Sequence, residues 1–513
     1  MNIQKISMRL LQNYIFLLAL VLFAGCQKQL DLVPQGAPSS GNFWKTSEDA
    51  VAGINSIYQL YSNNNMYGGG SFYYMSTSDD IACKATGNAD RFKYFQLDGN
   101  ESETRTVWSL HYQAMKRAND AIRNVPAISM EAKLKDRILG EAYFNHAIMH
   151  LELAYKYGDQ RAGIPIPDRE RPENIYVPRP KSVAENYAYI VADLVKAAEL
   201  LPYFSELGKA DYGRAHKTAA WAYLARTYLY ARDWAKSQKY ADMVISSKQH
   251  KLLENFTDVF KISGNWSSEY IWSVTNSAQF PNSVGCIFPG ILLEDKGWGV
   301  YNGWGSFYPT KELYDAYESI DKRLPVTILK TGDKFMFFGL ERSYNVGSFT
   351  VSSSNRSGYQ FNKYMEPYTY ANPTGVYVNS NGNRPTTAMN VPLLRYADVL
   401  LMRAEAALMQ GQSGDAEINA IRRRAGLLPL SGATLADLKK ERRCEFAGEW
   451  TDRHWDLVRW GDAQQTYAKP LHHADGREIY TARTFNPAKH HVWPIPLEEI
   501  RVSNGTLPQN EGW

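Results

Sequence analysis

Apolar residues recur at helical spacing over five stretches in the first half of the chain. From Thr46 to Tyr61 a Thr or Ser N-cap and an acidic first turn precede Val51, Ile54, Ile57, Tyr58 and Tyr61, which predicts a helix. The same period predicts helices over 106–124, 131–157, 183–201 and 216–247. From Leu252 to Arg395 the period fails. Glycines, prolines, Asn/Ser turns and short β-branched runs such as Tyr270-Ile271-Trp272-Ser273-Val274 take over, and long irregular stretches in a folded chain usually carry function. Helices return over 395–424 and 435–462. The pattern predicts a mainly α chain with an irregular, loop-rich region and a few short strands.

The 216–247 stretch says how the helices pack. Ala219, Ala220, Tyr223, Leu224, Thr227, Tyr228 and Ala231 form one stripe, Asp233-Trp234 marks a turn, and Ser237, Tyr240, Ala241 and Val244 form a second. Small residues where helices cross, with tyrosines wedged between them, build a close helical hairpin similar to a tetratricopeptide repeat. Glu141–Tyr157 and Leu394–Met409 share the texture.

The first residues bear on the compartment. Lys5 and Arg9 precede an apolar run of eleven, Tyr14 to Ala24, long enough for a signal segment and too short to span a bilayer. It ends in Phe23-Ala24-Gly25-Cys26, which resembles a bacterial lipobox and implies cleavage before Cys26 and acylation of that cysteine. We therefore divide the chain into a signal peptide (1–25), a lipidated tether (26–42), a helical N-terminal region (43–250) and a C-terminal region with a ligand-binding insertion (251–513). One acyl chain anchors weakly and two or more anchor stably.

Among 513 residues, 57 Lys plus Arg against 53 Asp plus Glu leave a net charge of +4, which excludes binding of nucleic acid by bulk charge. Cys83, Cys286 and Cys444 are too few for a disulfide framework and are expected as buried thiols. His146 and His150 have the i, i+4 spacing of a zinc pair, but Ala147 stands where a zincin needs Glu, and His472-His473 and His490-His491 have no acidic or cysteine cluster beside them. No metal and no cofactor is expected. No Walker A loop, dinucleotide motif or nucleophile elbow is present.

The aromatic content, 13%, exceeds what a core needs, because Tyr and Trp each carry a polar atom that wants a partner. The segment Gly285–Tyr308 holds Trp298, Tyr301, Trp304, Phe307 and Tyr308 among six glycines. Glycine beside tryptophan is a poor core design and suits a ring displayed on a shaped loop. Trp266 in Gly264-Asn265-Trp266 is a similar ring. A sugar offers apolar C–H faces for such rings and hydroxyl edges for Asp, Asn or Arg. The early loop supplies a candidate edge set: Tyr73, Tyr74, Asp79, Asp80, Asn88, Arg91 and Tyr94. Arg442, Arg443, Glu445, Arg453, Asp456 and Arg459 alternate in sign at helical spacing and read as an ion-pair lattice tying helices together.

Eight segments, in order, resemble the SusD/RagB family of Bacteroidetes outer-membrane nutrient-binding lipoproteins. They are Phe43-Trp44 to Ala50; Glu141-Ala142-Tyr143-Phe144 running to Tyr157-Gly158-Asp159; Gly163 to Pro167; Tyr308 to Leu313 with Asp321 and Arg323; Asn390 to Leu401; Glu441 to Glu449 with Asp456 to Gly461; His491 to Pro496; and Gln509-Asn510-Glu511-Gly512-Trp513. Glu511 and Trp513 replace a usual Pro and Tyr, and Asp398 replaces a usual Glu. The resemblance implies a SusD-like fold with tetratricopeptide-like hairpins as scaffold. It also implies a non-enzymatic, lipid-anchored protein of the outer membrane, facing outward, that binds an oligosaccharide and delivers it to a SusC-like TonB-dependent transporter. The residues named for glycan are Trp298, Tyr301, Trp304, Trp266, Asp79, Asp80, Arg91, Tyr73 and Tyr94. The alternatives are a secreted lipoprotein glycoside hydrolase, a SusD-like binder of a non-glycan nutrient, and a repeat scaffold that binds only protein.

Overall fold

The computed structural model describes residues 43–84, 87–276, 305–337, 340–347, 350–351, 353–364, 376–378, 385–451 and 453–513. Helix α1 (Ser47–Tyr61) starts as its sequence asks: Thr46 caps it and Asp49 closes a capping box. Gly53 has no side chain because the Trp44 indole occupies the space a Cβ would need, so the Phe43-Trp44 segment is fixed to the helix it precedes.

The helical half continues with α2 (Ser102–Asn124), α3 (Ala132–Tyr157), α4 (Val183–Leu200), α5 (Lys217–Tyr230) and α6 (Trp234–Ser246). Consecutive helices pack on one another from α2 to α6, as the hairpin reading requires. The expected 216–247 segment breaks where Asp233 caps α6 after the left-handed Arg232. Helix α5 and the part of α3 from Ile138 onward lie in the middle of the stack and are covered on nearly all sides. Ala219, Ala220, Ala222, Tyr223, Leu224 and Ala225 are all buried, more than one stripe, because a helix between two neighbours has no polar face.

The second half is different. Its described strands form two-stranded antiparallel pairs. β1 (Ile81–Cys83) pairs with β3 (Phe307–Pro309) in the register Ile81↔Pro309, Ala82↔Tyr308 and Cys83↔Phe307. β2 (Tyr270–Val274) pairs with β4 (Val391–Arg395), which runs straight into α7 (Tyr396–Leu408). The helical stretches expected over 395–424 and 435–462 each split in two. Residues 409–414 separate α7 from α8 (Asp415–Arg424), and the left-handed Gly448, packed on Phe361, lies between α9 (Leu435–Phe446) and α10 (Arg453–Trp460). Helix α7 lies on α6 and joins the halves.

The charged motif is an interior lattice. Arg395 is about 1% exposed and donates to Glu269 (2.6 Å), Glu445 (2.9 Å) and Glu449 (2.8 Å). Arg424 joins Glu269 to Glu445, and Arg323 joins Asp321 (2.7 Å) to Glu441 (2.6 Å). A second chain links Arg226, Asp398, Arg442, Asp456, Arg459 and Glu405. The terminal motif is a stitch. Asn510 donates to the carbonyls of Tyr157 and Trp493, Gln509 exchanges bonds with the Ile495 backbone, the Trp513 indole N–H donates to Lys489 O, and the exposed Glu511 pairs with Arg161.

Candidate ligand site

The sequence expectation centres on the segment between β2 and β3. Trp298, Tyr301 and Trp304 lie outside the described residues, as do Cys26 and Cys286. What is described is how the ends of that segment are held.

The end at β3 is anchored through the turn before β1. Lys93, fully buried, donates to the carbonyls of Ser76 (2.6 Å), Ser78 (2.7 Å) and Ile81 (2.6 Å). Burial, helped by the neighbouring Arg483, pushes its pKa well below the usual lysine range. Arg483 donates to Thr77 O (2.6 Å). Thr310 closes the turn onto β3, its N–H donating to Asp80 O and its hydroxyl to Asp79 O. The backbone of Lys84 continues the pair with a bond to Ser306 O.

Within this frame Asp79 and Asp80 turn inward, about 5% and 4% exposed. Arg443 reaches both carboxylates (2.9 and 2.7 Å) and Arg453 reaches Asp79 (3.1 Å). Burial works to raise the carboxyl of Asp79, but the two guanidinium groups outweigh it and hold it below the usual range. Asp80 is raised, chiefly by burial and further by the charge of Asp79, against the pull of Arg443. These aspartates, expected at a sugar edge, pair here with the arginines, and those pairs tie the turn before β1 to α9 and α10. Arg91 is likewise engaged, with Asp98 (2.9 Å), Glu101 (2.8 Å) and the carbonyl of Gln96. Tyr73 is half-buried, edge-on to Phe307 at 5.1 Å, and Tyr94 is half-buried beside Tyr480 at 6.2 Å. So Tyr73, Asp79, Asp80, Arg91 and Tyr94 gather around the β1–β3 end of the segment.

Trp266 belongs to the other end. It packs on Tyr212 at 6.0 Å, and the adjoining Asn265 bonds Ala388 O and Asn390 N. Residues Tyr58, Tyr61, Tyr212 and Trp272 line a cleft there. Sequence periodicity gave no sign of it, because Tyr58 and Tyr61 fall on the core stripe of α1. The one signal available was Tyr212-Gly213, an aromatic beside glycine, the same signature that marked the insertion.

The histidines flagged for zinc spacing have other partners. His146 bonds Asp193 at 2.7 Å and His150 bonds Asn186 at 2.8 Å, both fully buried between helices. Cys83 and Cys444 are buried thiols, as expected. No helix among the described residues is long and apolar enough to cross a membrane.

A helical stack that carries a loop-rich half on ion pairs defines a fold class, and comparisons with known proteins place it. A model described as the SusD family matches residues 268–513, and one described as "Starch-binding associating with outer membrane" matches residues 40–229. SusD-like protein P2 of Formosa agariphila is 24% identical over 97% of this chain and 99% of its own. Starch-binding protein SusD of Bacteroides thetaiotaomicron is 28% identical, covering 66% of this chain and 67% of its own. The solved structure of surface glycan-binding protein A from Bacteroides thetaiotaomicron in complex with laminarihexaose matches with a TM-score of 0.73 at 21% identity, over 91% of this chain and 100% of that one. The chain belongs to the SusD/RagB family and has its mainly α, SusD-like fold.

Proposed function

We propose that this protein is a lipid-anchored glycan-binding protein of the outer membrane, facing outward, that captures an oligosaccharide and passes it unaltered to a SusC-like TonB-dependent transporter. The observation that carries the reading is the anchoring of the aromatic insertion. Its ends run from β2 and into β3, and the β3 end is held by buried Lys93 and Arg483 and by the partly buried Arg443 and Arg453. Rigid ends lower the ordering cost of a loop that binds, which is how a preorganised site gains affinity. Trp298, Tyr301 and Trp304 supply the stacking faces, with Tyr73 and Tyr94 at the edge. The family membership and the glycans in the printed names of its relatives support the choice of ligand class.

Retardation of the protein in native gels cast with plant, microbial and host polysaccharides tests it. Binding is expected to at least one, without product, and to weaken tenfold or more in Trp298→Ala or Trp304→Ala, the range of a central aromatic anchor. Release of sugar would instead make it a hydrolase. Retained binding in both variants would remove the insertion from the site. Cys26→Ser should release the chain from the membrane, and co-purification from outer membranes should bring the transporter with it.

A further inference from the structure

The cleft at the β2 end of the insertion has the parts of a second site. Helix α1 contributes Asn55, Tyr58 and Tyr61, the turn at 210–214 contributes Tyr212 and Arg214, and β2 contributes Trp272, with Thr275 just beyond it. The space is about 260 Å³. That lies just under the roughly 300–1,000 Å³ of typical small-molecule sites and limits an occupant to one or two sugar rings.

Its polar wall is fixed in place. Arg214 donates through Nε to Asp211 (3.0 Å), through Nη1 to Glu141 (3.1 Å) and through Nη2 to Asn55 (3.0 Å). A guanidinium has five N–H groups, so two remain for an acceptor beyond these partners. Asn55, held through its carbonyl oxygen, keeps its amide N–H groups. The local backbone is also unusual. Trp266 is left-handed (φ +54°), which is costly for an aromatic residue and marks a position held by its surroundings. Its indole N–H and that of Trp272 are buried without a partner among the described residues. Gly213 (φ +93°) lies where a Cβ would collide with Thr275 and come within 3.6 Å of the Trp266 Nε1, so only glycine lets Tyr212 and Arg214 take these places.

The charge balance narrows the ligand. Asp211 and Glu141 pair with both Arg214 and Arg137, two cations against two carboxylates, so the wall offers directed N–H donors and no net positive field. We infer that this cleft, walled by α1, the 210–214 turn and β2, is a second saccharide subsite that takes one or two neutral pyranose rings. A ring face lies on the half-buried Tyr58 and Tyr212, and its hydroxyl edge lies on Arg214 and Asn55. An uronate carboxylate would meet Asp211 and Glu141 behind the arginine and bind more weakly. The inference rests on the reading of the protein as a glycan binder.

The test is a crystal of the protein soaked in methyl glycosides of glucose, galactose, mannose and xylose, with glucuronate as a separate soak. A neutral pyranose in the cleft, absent from Thr275→Trp, whose indole would fill the exposed mouth, is the expected result. Asn55→Ala should raise the dissociation constant for the bound methyl glycoside about three- to tenfold, the loss of one neutral hydrogen bond. A sugar found elsewhere on the protein with the cleft holding none would overturn this inference and leave the glycan reading standing. Preference for glucuronate in the cleft would overturn the neutral-ligand assignment. No sugar bound at any position, in the soak or in polysaccharide gels, would overturn the glycan reading and this one with it.

Discussion

The helical half and the loop-rich half solve the burial of polar groups in different ways. Between α2 and α6 most buried polar side chains are imidazoles, amides and hydroxyls packed among alanines, such as His111, Asn145, His150, Asn186, His216 and Thr218. A few buried charges, among them Glu141, Lys156 and Asp193, are paired with neighbours. In the loop-rich half, guanidinium groups are packed against carboxylates, and Arg323 and Arg395 rank among the largest fully buried side chains of the molecule. Backbone economy explains the difference. A helix satisfies its own N–H and C=O groups, so its side chains need only fill space. Two-stranded pairs and long loops leave carbonyls over, and long cationic side chains such as Lys93 and Arg483 reach them. The seam between the halves shows both habits, with Arg226 from α5 bonded to Asp398 at the start of α7.

The strongest way to break this comparison is to remove the hub of the lattice. Arg395→Met keeps length and apolar bulk but leaves Glu269, Glu445 and Glu449 with one fewer cation in a buried site. Stripping one partner from a buried pair costs about 3–5 kcal/mol. Urea unfolding should show that loss. A cost below about 1 kcal/mol would mean that the carboxylates find water or protonate, and that the lattice is not what holds the loops.

Acid separates the halves more gently. Burial lowers His216 to about 3, with the neighbouring His250 adding to it, and burial lowers His250 to about 4. The two rings share Thr218, whose hydroxyl lies 2.8 Å from each, and His216 also caps α5 and bonds Ile271 O. His111 (about 4) and His150 (about 3) are lowered in the same half, chiefly by burial, and His454 (about 3) and His490 (about 4) in the other. All lie under the ordinary imidazole value near 6.5, so the unfolded chain binds protons that the folded chain excludes. Their stabilisation is complete above about pH 6.5 and is lost as the pH falls toward 4 and 3. Asp398 behaves otherwise. Burial works to raise it, but Arg442 and Arg226 outweigh burial and hold it at about 2, so its contribution is intact above about pH 3.8 and lost only below. The helical half, with four of these six histidines, should loosen first on acidification. His216→Asn, which retains a capping side chain, should flatten the dependence of unfolding free energy on pH between 6.5 and 4 by about 1.4 kcal/mol per pH unit. An unchanged slope would show that the ring is hydrated in the native state.

How much of this the sequence displayed follows the same division. Helices were legible because a 3.6-residue period survives burial of one face, and the hairpin texture of Ala219 to Ala231 survived even in a helix buried all round. The alternating charges of Arg442 to Arg459 also read correctly as a lattice, since six charges at helical spacing beside an apolar chain have few other uses. What did not read was pairing across long separations. Nothing near Asp79 in sequence announces Arg443 and Arg453, more than 360 positions away, so the pairing of these two carboxylates could not be read. The same distance hid the cleft at Tyr58 and Trp272, which exists only once α1 meets β2. Local period is written in neighbours; a site is written in contacts.

The smallest effect sharpens the comparison from its other side. The helical half has ion pairs too, but many are of a different kind. Lys196 and Glu199 on α4 meet at 3.0 Å with about half of each side chain in water (49% and 59%). Two such chains give up rotamer freedom to hold one geometry, in a solvent that screens their attraction, so an exposed i, i+3 pair contributes about 0–0.5 kcal/mol. Lys196→Ala should therefore change unfolding free energy by less than about 0.5 kcal/mol, and added salt should erase even that. Alanine is also the better helix former at this position, so either sign is consistent with that bound. Measured beside Arg395→Met in the same urea series, the two substitutions each delete one cation, Lys196 from one carboxylate and Arg395 from three. If they cost the same, burial would not decide what charge contributes here; a gap of several-fold would locate the structural work of charge in buried lattices such as that of the loop-rich half, where the backbone has the fewest partners of its own.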